Sequence, residues 1–248
     1  MNYLKGAEKF YDLFGEKDDV AFYVNQAKHF GGKALELGVG TARLAIKLAE
    51  AGIETWGIDK SKYMLNAAKH NLLKLDPVVQ SRIHLKVGNV LDFHLPERFN
   101  LIYFPSCSFD HILNTVEQQK ALKNIRDHIA PGGAYVFDLY LNTEPKFHKN
   151  WFIQRKEINE TRYVVRTGYQ TADFENRHMS LNMWYELYEN GKMIERFHEG
   201  SKVYIHDDTG IRGLLKETGY KIINEYGNHY GKPYTKGDWM IVTVAQPL

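Results

Sequence analysis

A chain of 248 residues, 44% hydrophobic, can bury one complete core with an embellishment, and 32 lysines and arginines against 30 acids leave a net charge of only +2, which offers no phosphate-binding stripe. A lone cysteine, Cys107, excludes an internal disulfide, no apolar run is long enough to span a membrane, and Met1-Asn2-Tyr3-Leu4-Lys5 lacks the apolar core of a signal peptide. The expectation is a cytoplasmic globular protein that has neither nucleic acid nor a membrane as partner.

Two aromatic-rich helical stretches, Tyr3 to Phe14 and Asp18 to Phe30, are expected to open the chain and lie over a ligand cleft, with Gly31-Gly32 breaking the pattern. Strand and helix then alternate: strand Lys33 to Leu37, helix Thr41 to Ala51, strand Glu54 to Ile58, helix Ser61 to Leu73 and strands Arg82 to Val87 and Asn100 to Phe104. Helix Thr115 to Ala130 and strand Ala134 to Leu141 follow, with Gly52 and Pro131-Gly132-Gly133 as helix stops and Leu122, Ile125 and Ile129 as a buried stripe. Such alternation predicts an α/β fold, a parallel sheet with helices on both faces.

From about Asn142 to His206 the hydrophobic period becomes two, with Met179, Leu181, Met183, Tyr185 and Leu187 alternating with more polar neighbours and Asn190-Gly191 supplying a type I′ hairpin turn. An inserted antiparallel sheet is expected there. A two-residue turn would set Met183 opposite His198 and Tyr185 opposite Arg196, placing those four on one face and Trp184 with Phe197 on the other. Asp208 then reads as an N-cap, Gly210 to Thr218 as a helix stopped by Gly219, and Tyr220 to Tyr226 and Trp239 to Ala245 as strands. One domain is therefore expected from 1–141 and 207–248, split by an insertion over 142–206.

The turn Gly38-Val39-Gly40 carries the chemistry. Its glycines tolerate positive φ and let a ligand approach the backbone, the helix after it presents unpaired N–H groups, and Asp59, about 20 residues on, suits a ribose diol. An adenosine-type cofactor is expected. Arg43 stands where a dinucleotide fingerprint wants a small residue, which makes NAD the weaker choice, and Gly40-Thr41-Ala42 lacks the Gly-Lys-Ser/Thr of a P-loop.

The spacing Glu36, Gly38, Gly40 resembles motif I of the class I S-adenosylmethionine-dependent methyltransferases. Asp59, with Lys60 beside it, matches the acid that grips the ribose hydroxyls in that family. Ser61 to Leu65 matches the helix start whose apolar residue, here Met64, lies against the adenine. Gly88-Asn89-Val90-Leu91-Asp92-Phe93 is similar to the adenine-edge turn, with Asn89 in place of the usual aspartate; its side-chain oxygen can still accept from an amine. Tyr11-Asp12 and His111 match a Tyr-Asp pair and a histidine of the amino-sugar N,N-dimethyltransferases of antibiotic biosynthesis.

The resemblance implies a Rossmann-like seven-stranded sheet with an antiparallel last strand and an inserted antiparallel sheet as lid. It also implies S-adenosyl-L-methionine as cofactor, S-adenosyl-L-homocysteine as product, and cofactor contacts from Tyr11, Glu36, Gly38, Gly40, Asp59, Lys60, Met64, Asn89, Val90 and Phe104. Methyl transfer by in-line displacement needs no metal, only a held nucleophile and excluded water. His111, just past the Asn100 to Phe104 strand, is the candidate base, and Tyr11 the group that contacts the cofactor or orients the nucleophile. Asp110 would raise the His111 pKa if the two met. Cys107 has neither an arranged base nor oxyanion donors and reads as a packing residue.

The expected acceptor is nitrogen or oxygen of a small molecule, and the inserted sheet serves equally as its lid or as a homodimer interface. Two alternatives remain open. A nucleic-acid methyltransferase acting on exocyclic amines would carry Asp/Asn-Pro-Pro-aromatic where this chain has Phe104-Pro105-Ser106-Cys107. A non-catalytic module would bind S-adenosylmethionine without turnover.

Overall fold

Caps and glycines set the element ends in the computed structural model, which describes residues 6, 8–15, 18–141 and 149–248. The start of the first expected helix at Tyr3, the residues Met1 to Lys5 and the expected start of the insertion at Asn142 lie outside the described residues. A 3-10 turn, Glu8–Phe10, runs into α1 (Tyr11–Phe14), and α2 (Val20–Phe30) stops where Gly31, at φ 65°, turns its N–H back to Ala27 O. Then come β1 (Lys33–Leu37), α3 (Arg43–Glu50), β2 (Glu54–Asp59) and α4 (Lys62–Leu72), whose N-cap Ser61 accepts from Met64 N–H. A single turn, α5 (Pro77–Gln80), leads to β3 (Ile83–Val87) and β4 (Phe99–Phe104). A second 3-10 turn, Ser108–His111, precedes α6 (Thr115–Asp127) and β5 (Ile129–Tyr140).

Here one expectation is corrected: Pro131-Gly132-Gly133 does not stop α6, which ends at Asp127, but lies inside β5. A Cβ on Gly133 would come within 2.8 Å of Asn100 O and 2.9 Å of Phe99 O, so its absence lets β5 close against β4 where their register breaks.

After the inserted strands, α7 (Asp208–Glu217) is capped by Asp207, whose carboxylate accepts from Gly210 N–H, rather than by Asp208, which pairs with Arg212. The main sheet has the order β10-β11-β5-β4-β1-β2-β3, with β10 at Tyr220–Tyr226 and β11 at Met240–Pro247. β11 runs antiparallel to both neighbours, and every other pairing is parallel.

Alternation sends Leu35, Ile102 and Phe137 toward Leu122 and Ile125 of α6 and Ile211 and Leu215 of α7. Ala34, Leu101 and Val136 go the other way, toward Tyr23 of α2 and Leu44 and Leu48 of α3. Each large side chain withdrawn from water on these faces contributes about 1.5–3 kcal/mol, and the two layers make the sheet rigid up to its C-terminal edge.

The second sheet is a meander of β6 (Lys149–Glu157), β7 (Arg162–Asp173), β8 (His178–Glu189) and β9 (Lys192–Tyr204). The Asn190-Gly191 turn forms as expected, with φ of 48° and 76°. The expected pairing beyond it is corrected by one residue. Tyr188 pairs with Met193 but Leu187 pairs with Glu195, so Ile194 is an extra residue, and from there Met183 faces Glu199, Trp184 faces His198, Tyr185 faces Phe197 and Glu186 faces Arg196.

A one-residue bulge moves every later side chain to the other face. Met183, Tyr185, Phe197 and Leu187 therefore pack with Phe10, Tyr11, Phe14 and Met64. Trp184 and His198 share the opposite face, where the Trp151 ring lies nearly parallel to that of Trp184 and tilted against Tyr169. Among the described residues no helix is long and apolar enough to cross a membrane.

Candidate active site

β1 leaves the sheet at Leu37, and Val39 N–H donates to Ile58 O at 2.9 Å, which folds the glycine turn back along β2. Gly38 and Gly40 both have positive φ, 63° and 56°. A Cβ on Gly38 would stand 3.1 Å from the Phe104 ring and one on Gly40 3.2 Å from Met64 Cε. The bare backbone is what keeps this cradle open. At the end of β2, Asp59 Oδ2 accepts from Gly40 N–H at 2.9 Å and Oδ1 from Ser61 N–H at 2.7 Å. Burial raises the Asp59 carboxyl above its ordinary value, opposed by those two donors and by Lys60.

The cavity beside this loop lies at the point where the strand order reverses, between β1 and β4, the usual place for a ligand in an open α/β sheet. Tyr11, Gly38, Gly40, Asp59, Lys60, Met64, Asn89, Val90, Phe104 and His111 all line it. The sequence brings these residues from α1, four strand ends, the first turn of α4 and the 3-10 turn after β4. Asn89 Oδ1 accepts from Leu91 N–H at 3.1 Å, which shapes the turn and leaves a second lone pair on that oxygen. Ile58 and the Gly88 and Leu91 of the expected adenine-edge turn also line the cavity, and Ser108, Ile112 and Glu117, which were not among the sequence candidates, complete the wall. The signal for Ser108 and Ile112 was their position just past a central strand.

Glu36, expected as a cofactor contact, is the exception and does not line this cavity. It is buried behind the loop, where Tyr103 Oη donates to its Oε2 at 3.0 Å, and burial pushes its carboxyl up to about 8 despite Tyr103 and Arg43. In a strand, alternate residues point to opposite faces, and Glu36 points into the α2–α3 layer. Arg43, out of place in a dinucleotide fingerprint, donates twice to Asp19 at 2.7 and 2.6 Å and joins α3 to the start of α2. Thr41 Oγ1 donates to Asp12 Oδ1 at 2.7 Å, which fastens α1 over the glycine turn. Tyr11 is thereby held on the cavity wall, and burial, with Tyr185 and Glu199 adding, pushes its hydroxyl up to about 12. It is a permanent donor at neutral pH.

His111 Nδ1 lies 3.3 Å from Lys202 O, and a carbonyl can only accept, so Nδ1 carries the proton and Nε2 is the basic nitrogen. Burial first and Lys60 second lower the His111 pKa, with the Lys202 carbonyl opposing, so the ring is neutral near pH 7. Asp110 and His111 do not meet. Asp110 points away into the interior, 3.7 Å from His206 Nε2, and burial raises its carboxyl well above the usual range.

A second cleft opens on the far side of His111. It runs between the loop after β4 (Ser106, Cys107, Asp110) and the inserted sheet (Asn150, Gln170, Met179, Leu181, Val203), with Tyr140 and Trp239 stacked at its rim. His111 lines both cavities. The floor of this cleft is held by Asp138, fully buried at the C-terminal end of β5, which accepts from Tyr23 Oη at 2.7 Å, His229 Nε2 at 3.0 Å, Ser106 N–H at 3.3 Å and Cys107 N–H. Ser106 and Cys107 sit at φ of 58° and 54°, a strained pair that this carboxylate over-determines. Cys107 is buried, as expected for a packing residue. Nothing in the sequence marked Asp138 or His229.

The sequence profile of a family described as "Methyltransferase domain" matches residues 34–133. An uncharacterized methyltransferase of Bacillus licheniformis is 30% identical over 186 residues, 72% of this chain and 81% of that protein. Among solved structures, the CcbJ methyltransferase from Streptomyces caelestis superposes with a TM-score of 0.84 at 17% identity, covering 99% of this chain and 96% of that one. CalS10, an amino pentose methyltransferase from Micromonospora echinaspora involved in calicheamicin biosynthesis, gives 0.74 at 16% identity, covering 98% and 97%. At these identities the structural likeness is one of fold, inserted sheet included.

Proposed function

Because the chain belongs to the S-adenosylmethionine-dependent methyltransferases, we propose that it moves a methyl group to nitrogen or oxygen of a small molecule seated in the second cleft. The observation that carries this is His111, which lines the glycine-turn cavity on one side and the second cleft on the other. The cavity fits the cofactor: a cradle that any Cβ at Gly38 or Gly40 would fill, a carboxylate with lone pairs to spare for a diol, and an apolar wall of Met64, Val90 and Leu91 for a base.

When bound there, the cofactor supplies a sulfonium methyl carbon, open to a lone pair in line with the bond that breaks. The chain's own residues do the rest. Asp59 and the glycine turn hold the nucleoside end, and Tyr11 donates from above. His111 Nε2 takes the proton that leaves the acceptor and passes it to water. α1 and the inner face of the inserted sheet keep bulk water from the junction.

We read 1–141 with 207–248 as the cofactor-binding unit and 142–206 as the acceptor lid. The rim stack of Tyr140 on Trp239 and the amides of Asn150 and Gln170 suit a hydroxylated ring, in keeping with the amino pentose acceptor of the structural neighbour. The opposite face of the lid, where Trp151 is 64% and Ile153 73% exposed, is the surface on which two copies would pair.

Calorimetric titration with S-adenosylhomocysteine, with NAD as control, tests the cofactor assignment. Micromolar binding of the first alone is expected, and binding of NAD alone would overturn it. Transfer of labelled methyl groups to a panel of amino and hydroxy sugars then tests the acceptor.

A further inference from the structure

Glu199 has no part in the transfer as described so far, yet its surroundings are unusual. The residue is 6% exposed, and among the described residues its Oε2 is buried with no hydrogen-bond partner. A carboxylate oxygen withdrawn from water without a donor is costly to keep, and such groups mark places where a ligand supplies what is missing. Arg166, the cation that acts on it, is committed elsewhere: its guanidinium donates to Gln154 Oε1 and lies 4.5 Å from the Phe14 ring and 5.6 Å from that of Phe152.

The sheet register says which way Glu199 faces. It pairs with Met183 on the inner face, and the next row on that face is Leu181 with Ser201, then Met179 with Val203. Leu181, Met179 and Val203 line the second cleft. On its other side Glu199 acts electrostatically on Tyr185 and on Tyr11, which lines the glycine-turn cavity. Glu199 lines neither cavity itself; it sits on the inner face of the sheet, one row from Leu181 of the second cleft and three residues from the Lys202 carbonyl that orients His111.

We propose that Glu199 is the lid residue that recognises the acceptor, receiving an amine as its ammonium ion and so making nitrogen the methylated atom; this rests on the methyl-transfer function above. The steps balance. The acceptor enters as R–NH3+ with one N–H donating to Oε2, the proton passes from nitrogen to the carboxylate, and the freed lone pair forms the N–CH3 bond as the S–CH3 bond breaks. The methylated ion R–NH2–CH3+ gives its next proton to His111 Nε2, so the products are R–NH–CH3 and S-adenosylhomocysteine, and the Glu199 and His111 protons go to water. Burial, opposed by Arg166, pushes the empty carboxyl up to about 7, with Tyr185 and Tyr11 as the other titratable groups facing it, so it can both hold the cation and take its proton. An alcohol brings no charge and would leave the carboxylate unpaired, the kind of mismatch by which buried polar groups reject an isostere.

The test uses the full chain, wild type, Glu199→Gln and Glu199→Asp, each saturated with S-adenosylhomocysteine and titrated at pH 8 with amino pentoses and amino hexoses and with their hydroxyl counterparts. Wild type should bind at least one amine about tenfold or more tighter than its counterpart, as a charge-assisted bond implies. Glu199→Gln should lose that preference with unchanged S-adenosylhomocysteine affinity, and Glu199→Asp should restore part of it. A wild-type protein that prefers no amine, or a Glu199→Gln variant that keeps the preference, overturns the inference while the cofactor result stands. Failure of wild type to bind S-adenosylhomocysteine sinks the methyl-transfer function itself.

Discussion

His111 Nδ1 reaches the carbonyl oxygen of Lys202 at 3.3 Å across 91 residues of chain. The bond ties the 3-10 turn after β4 to the last strand of the inserted sheet, so under the proposed function the base would be oriented by the sheet that covers the acceptor.

His111→Gln should bind S-adenosylhomocysteine within about twofold of wild type and transfer methyl groups about 10²–10⁴ times more slowly. The sign of its pH dependence follows from burial and Lys60, which hold the folded pKa below 6.5. The basic form is then complete above pH 6.5 and is lost as pH falls through that lowered value. Wild-type kcat/KM should show an acidic limb to which both groups contribute, Glu199 at about 7 and His111 below 6.5, so that Glu199→Gln keeps only the lower component and His111→Gln only the upper.

Asp59→Ala removes the proposed acceptor for the ribose diol and also the partner of Gly40 and Ser61 N–H. Hydrogen bonds to a charged group contribute about 1.5–3 kcal/mol each, so the dissociation constant for S-adenosylhomocysteine should rise at least tenfold by calorimetry. Wild-type affinity in this variant would mean the cavity binds something else.

Glu36→Gln should have an effect that changes with pH. Burial raises the folded pKa of Glu36 from 4.5 to about 8, so the folded chain keeps a proton that the unfolded chain releases in between. The stability Glu36 contributes is complete below pH 4.5 and is lost as pH rises through about 8. A neutral glutamine does not titrate, so the variant should gain on wild type between pH 5 and pH 9 by about 1 kcal/mol or more, roughly 2–4 °C in Tm. Equal pH slopes in scanning calorimetry would contradict this.

Deleting Ile194 removes the extra residue and leaves the pairs beyond it as they are, Leu187 with Glu195, Tyr185 with Phe197 and Met183 with Glu199. Phe197 and Glu199 therefore keep their inward direction. Methyl transfer and S-adenosylhomocysteine binding should both persist in this variant. Loss of transfer with S-adenosylhomocysteine still bound would show that the bulge itself, and not only the register beyond it, shapes the inner face.

Much of this was legible locally. The glycine turn, Asp59, Ser61 as a cap and the Asn190-Gly191 hairpin depend on backbone and side-chain chemistry within a few residues, and such rules read directly from a sequence. Alternation of strand and helix was enough for a parallel sheet with helices on both faces, because a parallel strand needs a crossover and its burial pattern differs from that of a hairpin, while the family resemblance supplied the seven strands and the antiparallel last one.

What the sequence by itself determined was the α/β order, the cofactor cradle and the existence of an inserted sheet. Tertiary structure alone decided that Glu36 turns from the cavity, that Asp110 avoids His111, that Asp138 gathers donors from Tyr23, Ser106, Cys107 and His229, and that Ile194 sends Glu199 inward. Each of these depends on which face of an element is covered and by what. A bulge needs no particular residue, and a buried carboxylate finds its donors only after distant segments have closed upon it.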